Sequence, residues 1–241
     1  MVKSLLASAL DLIFPPMCHV CSSFIPSAGN LHVCAACREQ LTPLQSPLCS
    51  VCGIPFVGAG GDHLCGSCSA GSHSFDSARG AYAYEGAISD LIHAFKYQNK
   101  THLRRPLAQL TIAVLPQLTS PSDHDLVLPV PLHRRKLSRR GFNQAVLLGE
   151  IIARHAGLPF DRYTLRRVRW TEPQINLKAD ERRANVKGAF EVTKPRLVEG
   201  LRLLLVDDVF TTGSTVEECS RVLKKAGAAA VDVITVARAL K

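Results

Sequence analysis

Long apolar runs are absent from this sequence: no stretch approaches the ~18–20 consecutive apolar residues that a membrane-spanning helix requires. The only segment that could serve as a targeting sequence, Met1–Pro16, carries Asp11 in a short apolar stretch and runs into Pro15-Pro16 without a small-residue cleavage site. Its spacing of Leu5, Leu6, Ala9, Leu10, Leu12 and Ile13 predicts a short amphipathic helix rather than an export signal. A soluble, cytoplasmic chain is expected. Aromatic residues are scarce, 6% of the total with a single Trp, so no long platform for stacking nucleobases is expected. Two familiar phosphate-binding patterns are also missing. No G-x-x-x-x-G-K-[ST] occurs, which excludes a P-loop, and no G-x-G-x-x-G follows an apolar strand, which disfavours a dinucleotide fold. What remains is ordinary globular material. Charged residues make up 20% and hydrophobic residues 46% of 241 positions, enough for one domain with a sizeable core and a smaller appended module.

The net charge of +9 is unevenly spread. Residues 129–144 hold five cations (Arg134, Arg135, Lys136, Arg139, Arg140) and no acid, residues 162–188 hold eight cations against three acids, and the remainder nets −1. Two local basic segments point to a confined anionic ligand, the alternative being two solvated basic faces.

Cysteine, by contrast, is abundant and ordered. Eight of the nine cysteines form four C-x-x-C pairs, Cys18/Cys21, Cys34/Cys37, Cys49/Cys52 and Cys65/Cys68, separated by twelve, eleven and twelve residues. A C-x-x-C turn aims both sulfurs at one centre, and two such turns complete a tetrahedral thiolate shell around zinc. The halves 18–37 and 49–68 read as a tandem repeat of one ribbon, and Gly53 and Gly66 suit knuckle turns with positive φ. Two structural Zn²⁺ sites are expected, with sequential or interleaved pairing. A disulfide framework would need an oxidising compartment, and an iron–sulfur cluster or redox dithiol is the third reading. So few large apolar side chains cannot hold this segment together, so zinc is expected to supply its folding energy. Replacing Cys18 or Cys65 would then unfold the ribbon alone. Cys219 falls on the apolar face of a later helix and reads as core.

From about Ser74 strand and helix signals alternate, the pattern of an α/β fold with a parallel sheet flanked by helices. Strands are expected at 78–84, 125–130, 163–168, 188–192, 202–206 and 231–237, and helices at 88–97, 103–118 and 143–156. After the apolar run Leu203–Val206 come Asp207 and Asp208, then Val209, Phe210, Thr211, Thr212, Gly213, Ser214 and Thr215, opening another helix. A buried strand ending in two carboxylates, followed by a hydroxyl-rich glycine turn, suits a phosphate monoester. Free backbone N–H groups at the helix N-terminus cradle the phosphate, Gly213 permits close approach, and the carboxylates accept hydrogen bonds from a ribose diol. Ser214-x-x-Glu217 and Thr215-x-x-Glu218 have the capping-box pattern. Alternatively, Asp207 and Asp208 merely end a strand.

Val206–Val216 resembles the phosphoribosyl pyrophosphate loop of type I phosphoribosyltransferases. The whole chain resembles the ComF family (competence protein F, or GntX-like), which joins a double zinc ribbon to such a domain. The resemblance runs through Phe14-Pro15-Pro16, Tyr84-Glu85-Gly86, Phe95-Lys96-Tyr97 and Pro129-Val130-Pro131, then Arg140-Gly141-Phe142-Asn143-Gln144, Pro173-Gln174 and Arg182-Arg183-Ala184-Asn185-Val186. It implies an N-terminal helix and double ribbon over 1–72 and a phosphoribosyltransferase-like domain over 73–241. By similarity, Asp207 and Asp208 hold the ribose hydroxyls of phosphoribosyl pyrophosphate, and Thr211–Thr215 its 5′-phosphate. Leu132, His133, Arg134 and Arg135 correspond to the pyrophosphate loop. Residues 169–187 correspond to a flexible lid bringing Arg169, Gln174, Lys178, Arg182, Arg183 and Asn185 to the substrate, with Mg²⁺ bridging diphosphate and ribose oxygens. The family further implies a role in DNA uptake, with single-stranded DNA and a helicase-like competence partner. Three functions stay open: a phosphoribosyltransferase with an unknown acceptor, a nucleic-acid factor with a regulatory or vestigial ligand site, and a zinc-ribbon adaptor.

Overall fold

The computed structural model describes residues 15–26, 31–58, 60–71, 73–171 and 179–240, without the side chains of residues 179, 180, 182 and 183. The N-terminal helix expected up to Pro16 falls, through residue 14, outside the described residues. In chain order the elements used below are α1 (Ala35–Glu39), α2 (Gly66–Ala70), β1 (Ser77–Ala83), α3 (Gly86–Tyr97), α4 (Arg104–Ala113), α5 (Leu115–Leu118), β2 (Leu126–Pro129), α6 (Arg134–Arg140), α7 (Gln144–Ala156), β3 (Leu165–Arg167), α8 (Ala179–Val186), β4 (Phe190–Val192), β5 (Arg202–Phe210), α9 (Ser214–Lys225) and β6 (Ala230–Arg238).

A parallel sheet in the order β1-β6-β5-β2 forms the centre. Its inner strands are apolar almost throughout because both faces are covered. Leu204 and Val206 of β5 pack with Ile88, Leu91 and Phe95 of α3, Leu107 of α4 and Leu148 and Ile152 of α7. Leu203 and Leu205 pack on the other face with Val216, Cys219 and Leu223 of α9.

Three expectations need correction. The segments around 163–168 and 188–192 do not join the parallel sheet. As β3 and β4 they pair antiparallel with each other, the geometry available to a chain that returns directly on itself. The helix expected over 103–118 breaks at Val114, where Pro116 in the first turn of α5 cannot continue the α4 hydrogen-bond ladder. The apolar strand does not end at the acids: β5 runs through Asp207 and Asp208 to Phe210, paired with β6 as far as Arg238.

The cysteine ribbons are not a free appendage. Cys18, Val33, Cys37 and Leu41 share the core of α3 and α4. Backbone bonds Leu44 N–H to Ala81 O (3.0 Å), Ala83 N–H to Thr42 O (2.9 Å) and Ala78 N–H to Val51 O (2.7 Å) lay the ribbon along β1, covering an edge strand that would otherwise be open. A shared core replaces the expectation of a ribbon that unfolds by itself.

Candidate functional site

Each cysteine quartet closes on one centre. The Sγ atoms of Cys18, Cys21, Cys34 and Cys37 lie within 4.8 Å of one another, as do those of Cys49, Cys52, Cys65 and Cys68, so pairing is sequential. Sulfur separations of 3.7 Å (Cys21–Cys34) and 3.8 Å (Cys52–Cys65) match the edge of a tetrahedron with Zn–S near ~2.3 Å. They are far beyond the ~2.05 Å of a disulfide, and no disulfide joins any of the nine cysteines. Backbone N–H groups reach the buried sulfurs: Cys34 to Cys18 (3.4 Å), Cys52 to Cys49 (3.5 Å) and Cys65 to Cys49 (3.4 Å), contacts that support thiolate charge. Both sites fit structural zinc. The knuckle conformation is found at Gly53, whose φ is +69° and whose added Cβ would lie 2.3 Å from Ala78 O, and not at Gly66, which opens α2.

The second centre lies at the carboxyl ends of β2 and β5. Asp208 is buried, and its carboxylate pairs with Lys96 Nζ on α3 at 2.8 Å, while its N–H donates to Asp207 Oδ1 at 2.9 Å. Asp207 is half-buried. Burial, then the charge of Asp208, push its carboxyl up to about 7, with Lys96 pulling the other way. At Lys96 burial opposes the charge, but Asp208 and then Asp207 outweigh it and hold the ammonium above the ordinary lysine range. Lys136 on α6 is drawn the opposite way, below that range, by burial and by Arg140, Arg167 and Lys96. Another half-buried cation, Arg167, stacks on Phe190 at 5.2 Å and bonds Thr171 Oγ1, and its Nε has no hydrogen-bond partner among the described residues.

β5 hands over to α9 through Thr211, Thr212 and Gly213. Gly213 has φ +76°, and an added Cβ would sit 2.6 Å from the Phe210 ring, so two separate constraints require glycine. Thr212 and Ser214 hydroxyls meet at 2.9 Å. The capping boxes are not realised. Glu217 accepts from Ser74 N (2.8 Å) and meets His73 Nδ1 (3.0 Å), while Glu218 accepts from Gly188 N (2.6 Å) and Arg221. With glycine at the N-cap and no side-chain cap, the α9 N-terminus keeps its first-turn amides for another acceptor.

The basic segment comes within reach of the acid pair through Lys136. Leu132 is half-buried, Arg134 and Arg135 are exposed, and buried His133 caps α6, its Nδ1 accepting from Arg135 N at 3.3 Å. Trp170 joins this segment to the β3–β4 hairpin, 5.4 Å from the His133 ring and 5.9 Å beneath the Arg135 guanidinium. Arg169 Nη2 donates to Asn185 O (3.0 Å) and Lys187 O (2.6 Å), pinning together the two ends of the 169–187 segment. Gln174 and Lys178, and the side chains of Arg182 and Arg183, lie outside the described residues. Of the expected site residues that are described, Asp207 and Asp208 feel the charges of Lys96 and of Lys136 on α6, and His133 feels those of Arg134, Arg135 and Arg167. Sequence reasoning did not assign Lys96, Lys136 or Arg167 to the site, although Lys136 and Arg167 fall within the two basic segments. For Lys96 the signal was a lysine in Phe95-Lys96-Tyr97, at the end of an otherwise apolar helix stripe.

An acid with a raised folded-state pKa binds its proton more tightly folded than unfolded. Its contribution to stability is therefore fullest below the unfolded pKa near ~4 and falls as pH rises through about 7. Asp207→Asn is accordingly expected to stabilise the fold at pH 8.5 and much less at pH 4. A pKa unit corresponds to ~1.4 kcal/mol, and partial solvent contact reduces the gain to ~1–2 kcal/mol. Urea unfolding at the two pH values measures it, and an Asn variant less stable at pH 8.5 would contradict this charge balance.

The sheet and the acid-pair turn define a phosphoribosyltransferase-type domain carrying a double zinc ribbon. The Double zinc ribbon domain family matches residues 9–69, and the Phosphoribosyl transferase domain family matches residues 143–241. The chain belongs to the competence protein F (ComF) family. The DNA utilization protein YhgH of Salmonella typhimurium is 38% identical over 160 residues, 65% of this chain and 70% of that protein. Competence protein F of Haemophilus influenzae is 37% identical over 163 residues, again 65% and 70%. Competence protein ComFC of Bacillus subtilis is 29% identical over 161 residues, 66% of this chain and 63% of that one. Among solved structures, glutamine phosphoribosylpyrophosphate amidotransferase from B. subtilis aligns with TM-score 0.34 and 23% identity over 53% of this chain and 24% of its own. Adenine phosphoribosyltransferase from Thermoanaerobacter pseudethanolicus aligns with TM-score 0.36 and 16% identity, over 58% and 83%. Among the described residues no helix is long and apolar enough to cross a membrane.

Proposed function

We propose that the cleft between Asp207–Thr215, α6 and the β3–β4 hairpin binds phosphoribosyl pyrophosphate with Mg²⁺, and that the chain serves the uptake or use of DNA in the cytoplasm. One observation carries the ligand reading: two carboxylates at the carboxyl ends of parallel strands lead through a glycine turn into a helix N-terminus facing a cationic helix. Thr211–Thr215 are suited to the 5′-phosphate, Asp207 and Asp208 to the ribose diol, and Leu132–Arg135 with Lys136 to the diphosphate. The acids are hard oxygen donors, as Mg²⁺ and its waters prefer. In this reading residues 1–72 and 73–241 are the two units of the chain. The names of the relatives support the DNA role, and the basic surface around α6 suits single-stranded DNA, with a helicase-like competence factor as the further partner.

In a second reading, turnover with an unidentified acceptor, residues 169–187 close over the ligand and exclude water; the bonds from Arg169 to Asn185 O and Lys187 O, which join the two ends of that segment, support it. Calorimetric titration of the zinc-replete chain with phosphoribosyl pyrophosphate, ribose 5-phosphate and pyrophosphate, each with and without Mg²⁺, tests the binding. Tightest binding is expected for the intact ligand with Mg²⁺, accompanied by slower tryptic cleavage after Arg169 and Arg182. No heat and unchanged cleavage at millimolar ligand would defeat the reading. Pyrophosphate release on adding single-stranded DNA, free bases or ammonia separates turnover from binding alone.

A further inference from the structure

We propose that Arg238 is a positioning residue that ties the second zinc site to the phosphate turn, so that metal loading at Cys49, Cys52, Cys65 and Cys68 sets the order of residues 209–215. Arg238 ends β6, in register with Ala83 of β1 on one side and Phe210 of β5 on the other. Its neighbours Val236 and Ala237 are fully buried, and Arg238 itself is only 6% exposed. Room for it is made on β1, where a Cβ added to Gly80 would lie 2.7 Å from Arg238 Cβ.

A buried guanidinium is costly unless its charge is answered. None of the ion pairs among the described residues uses Arg238. Its polar contacts are with Cys52: Nη1 donates to Cys52 O at 2.6 Å, and Nη2 lies 3.7 Å from Cys52 Sγ. Four thiolates around a dication carry net negative charge, so a loaded second site supplies the counter-charge that Arg238 lacks elsewhere. The other face of the guanidinium lies 4.4 Å from the centre of the Phe210 ring. That ring is the surface against which Gly213 turns, 2.6 Å from where a Cβ would be, and it also meets Phe75 edge-on at 6.2 Å. The contacts run Cys52, Arg238, Phe210, Gly213 without a gap. The first zinc site is differently connected. Cys18 and Cys37 pack into the α3–α4 core, and the neighbouring His19 ring lies 4.9 Å from His102.

The ligand arm of the test rests on the phosphate-binding reading, and the exchange arm does not. Zinc-replete full-length Arg238→Met and Arg238→Lys are compared with the parent by zinc content, amide hydrogen exchange over 209–216, and titration with phosphoribosyl pyrophosphate and Mg²⁺. With zinc content unchanged, exchange over 209–216 is expected to quicken. Affinity is expected to fall about five- to twentyfold for Met and less for Lys, the lower part of the range for coupled sites. By reciprocity, saturating ligand should raise the affinity of the parent for one of its two zinc ions, read at equilibrium by competition with a chromogenic chelator, a measurement that needs no variant. Unaltered exchange over 209–216 in a folded, zinc-loaded Met variant overturns the proposal. So does ligand that binds the parent yet leaves its equilibrium affinity for both ions unchanged. If the parent binds no ligand, the ligand assignment fails and the exchange data alone judge the strut.

Discussion

Stripping both zinc ions from this chain is expected to lower the melting of the whole protein, not to release the ribbon alone. Structural zinc sites contribute roughly 10–16 kcal/mol of apparent binding energy each, comparable with the ~5–15 kcal/mol stability of an entire domain. The ribbon has little apolar surface of its own to offset that loss. Val33 and Leu41 are buried against α3 and α4, and Leu44 and Leu48 against Ala83. Unfolding it would therefore open the core on one face of the sheet and free the β1 N–H groups of Ala78 and Ala83 that now donate to Val51 and Thr42. Forfeiting even ~5 kcal/mol should lower Tm by about 10–20 °C in a chain of this size. The newly open β1 edge should promote association. Cys65→Ser should disturb the phosphate turn more than Cys18→Ser, because Cys65 shares its site with Cys52, the residue that Arg238 contacts. Elemental analysis should find two zinc ions per chain before chelation. Calorimetry should then show one transition moving downward. Iron in place of zinc, or a main transition unmoved by metal loss, would refute the shared-core account.

The parts of this molecule that can be read from its sequence are those fixed by local chemistry. Four C-x-x-C pairs announce thiolate sites because the two sulfurs of each pair must converge over three bonds of chain. The Val206–Val216 run announces a turn because only glycine tolerates φ +76° under the Phe210 ring. What was not legible depends on partners far away in the chain. Lys96 pairs with Asp208, Glu217 with His73 and Ser74, and Arg238 with Cys52, and no spacing rule connects such positions. The capping-box pattern failed because the helix is capped at Gly213, which leaves Ser214 and Thr215 inside its first turn, while Glu217 and Glu218 accept from Ser74 and Gly188 in other segments. Strand partnership was likewise hidden: Leu165–Arg167 and Phe190–Val192 are apolar enough for any sheet, and only tertiary placement makes them a hairpin.

Replacing both site acids, Asp207→Asn with Asp208→Asn, is expected to reduce affinity for phosphoribosyl pyrophosphate by two orders of magnitude or more. Each lost charge-assisted bond is worth about 1.5–3 kcal/mol, and ~1.4 kcal/mol is tenfold in affinity. Inorganic phosphate should still bind weakly, because the Thr211–Thr215 turn is untouched. The single variants should part company in stability. Asp207→Asn relieves a carboxylate crowded by its neighbour, whereas Asp208→Asn leaves Lys96, 18% exposed, without the partner it holds at 2.8 Å. Breaking a buried pair from one side costs about 3–5 kcal/mol, reduced here to ~2–3 kcal/mol by the remaining solvent contact of the ammonium. Adding Lys96→Met to Asp208→Asn removes the stranded charge and should recover most of that stability, a coupling that a double-mutant cycle measures directly. Affinity should not recover with it, because the lost acceptor is what the ribose would contact. Undiminished affinity in the double acid variant would remove both carboxylates from the ligand site. Affinity restored together with stability by Lys96→Met would instead make Asp208 a counter-ion for Lys96, leaving Asp207 as the one acid that meets the ligand.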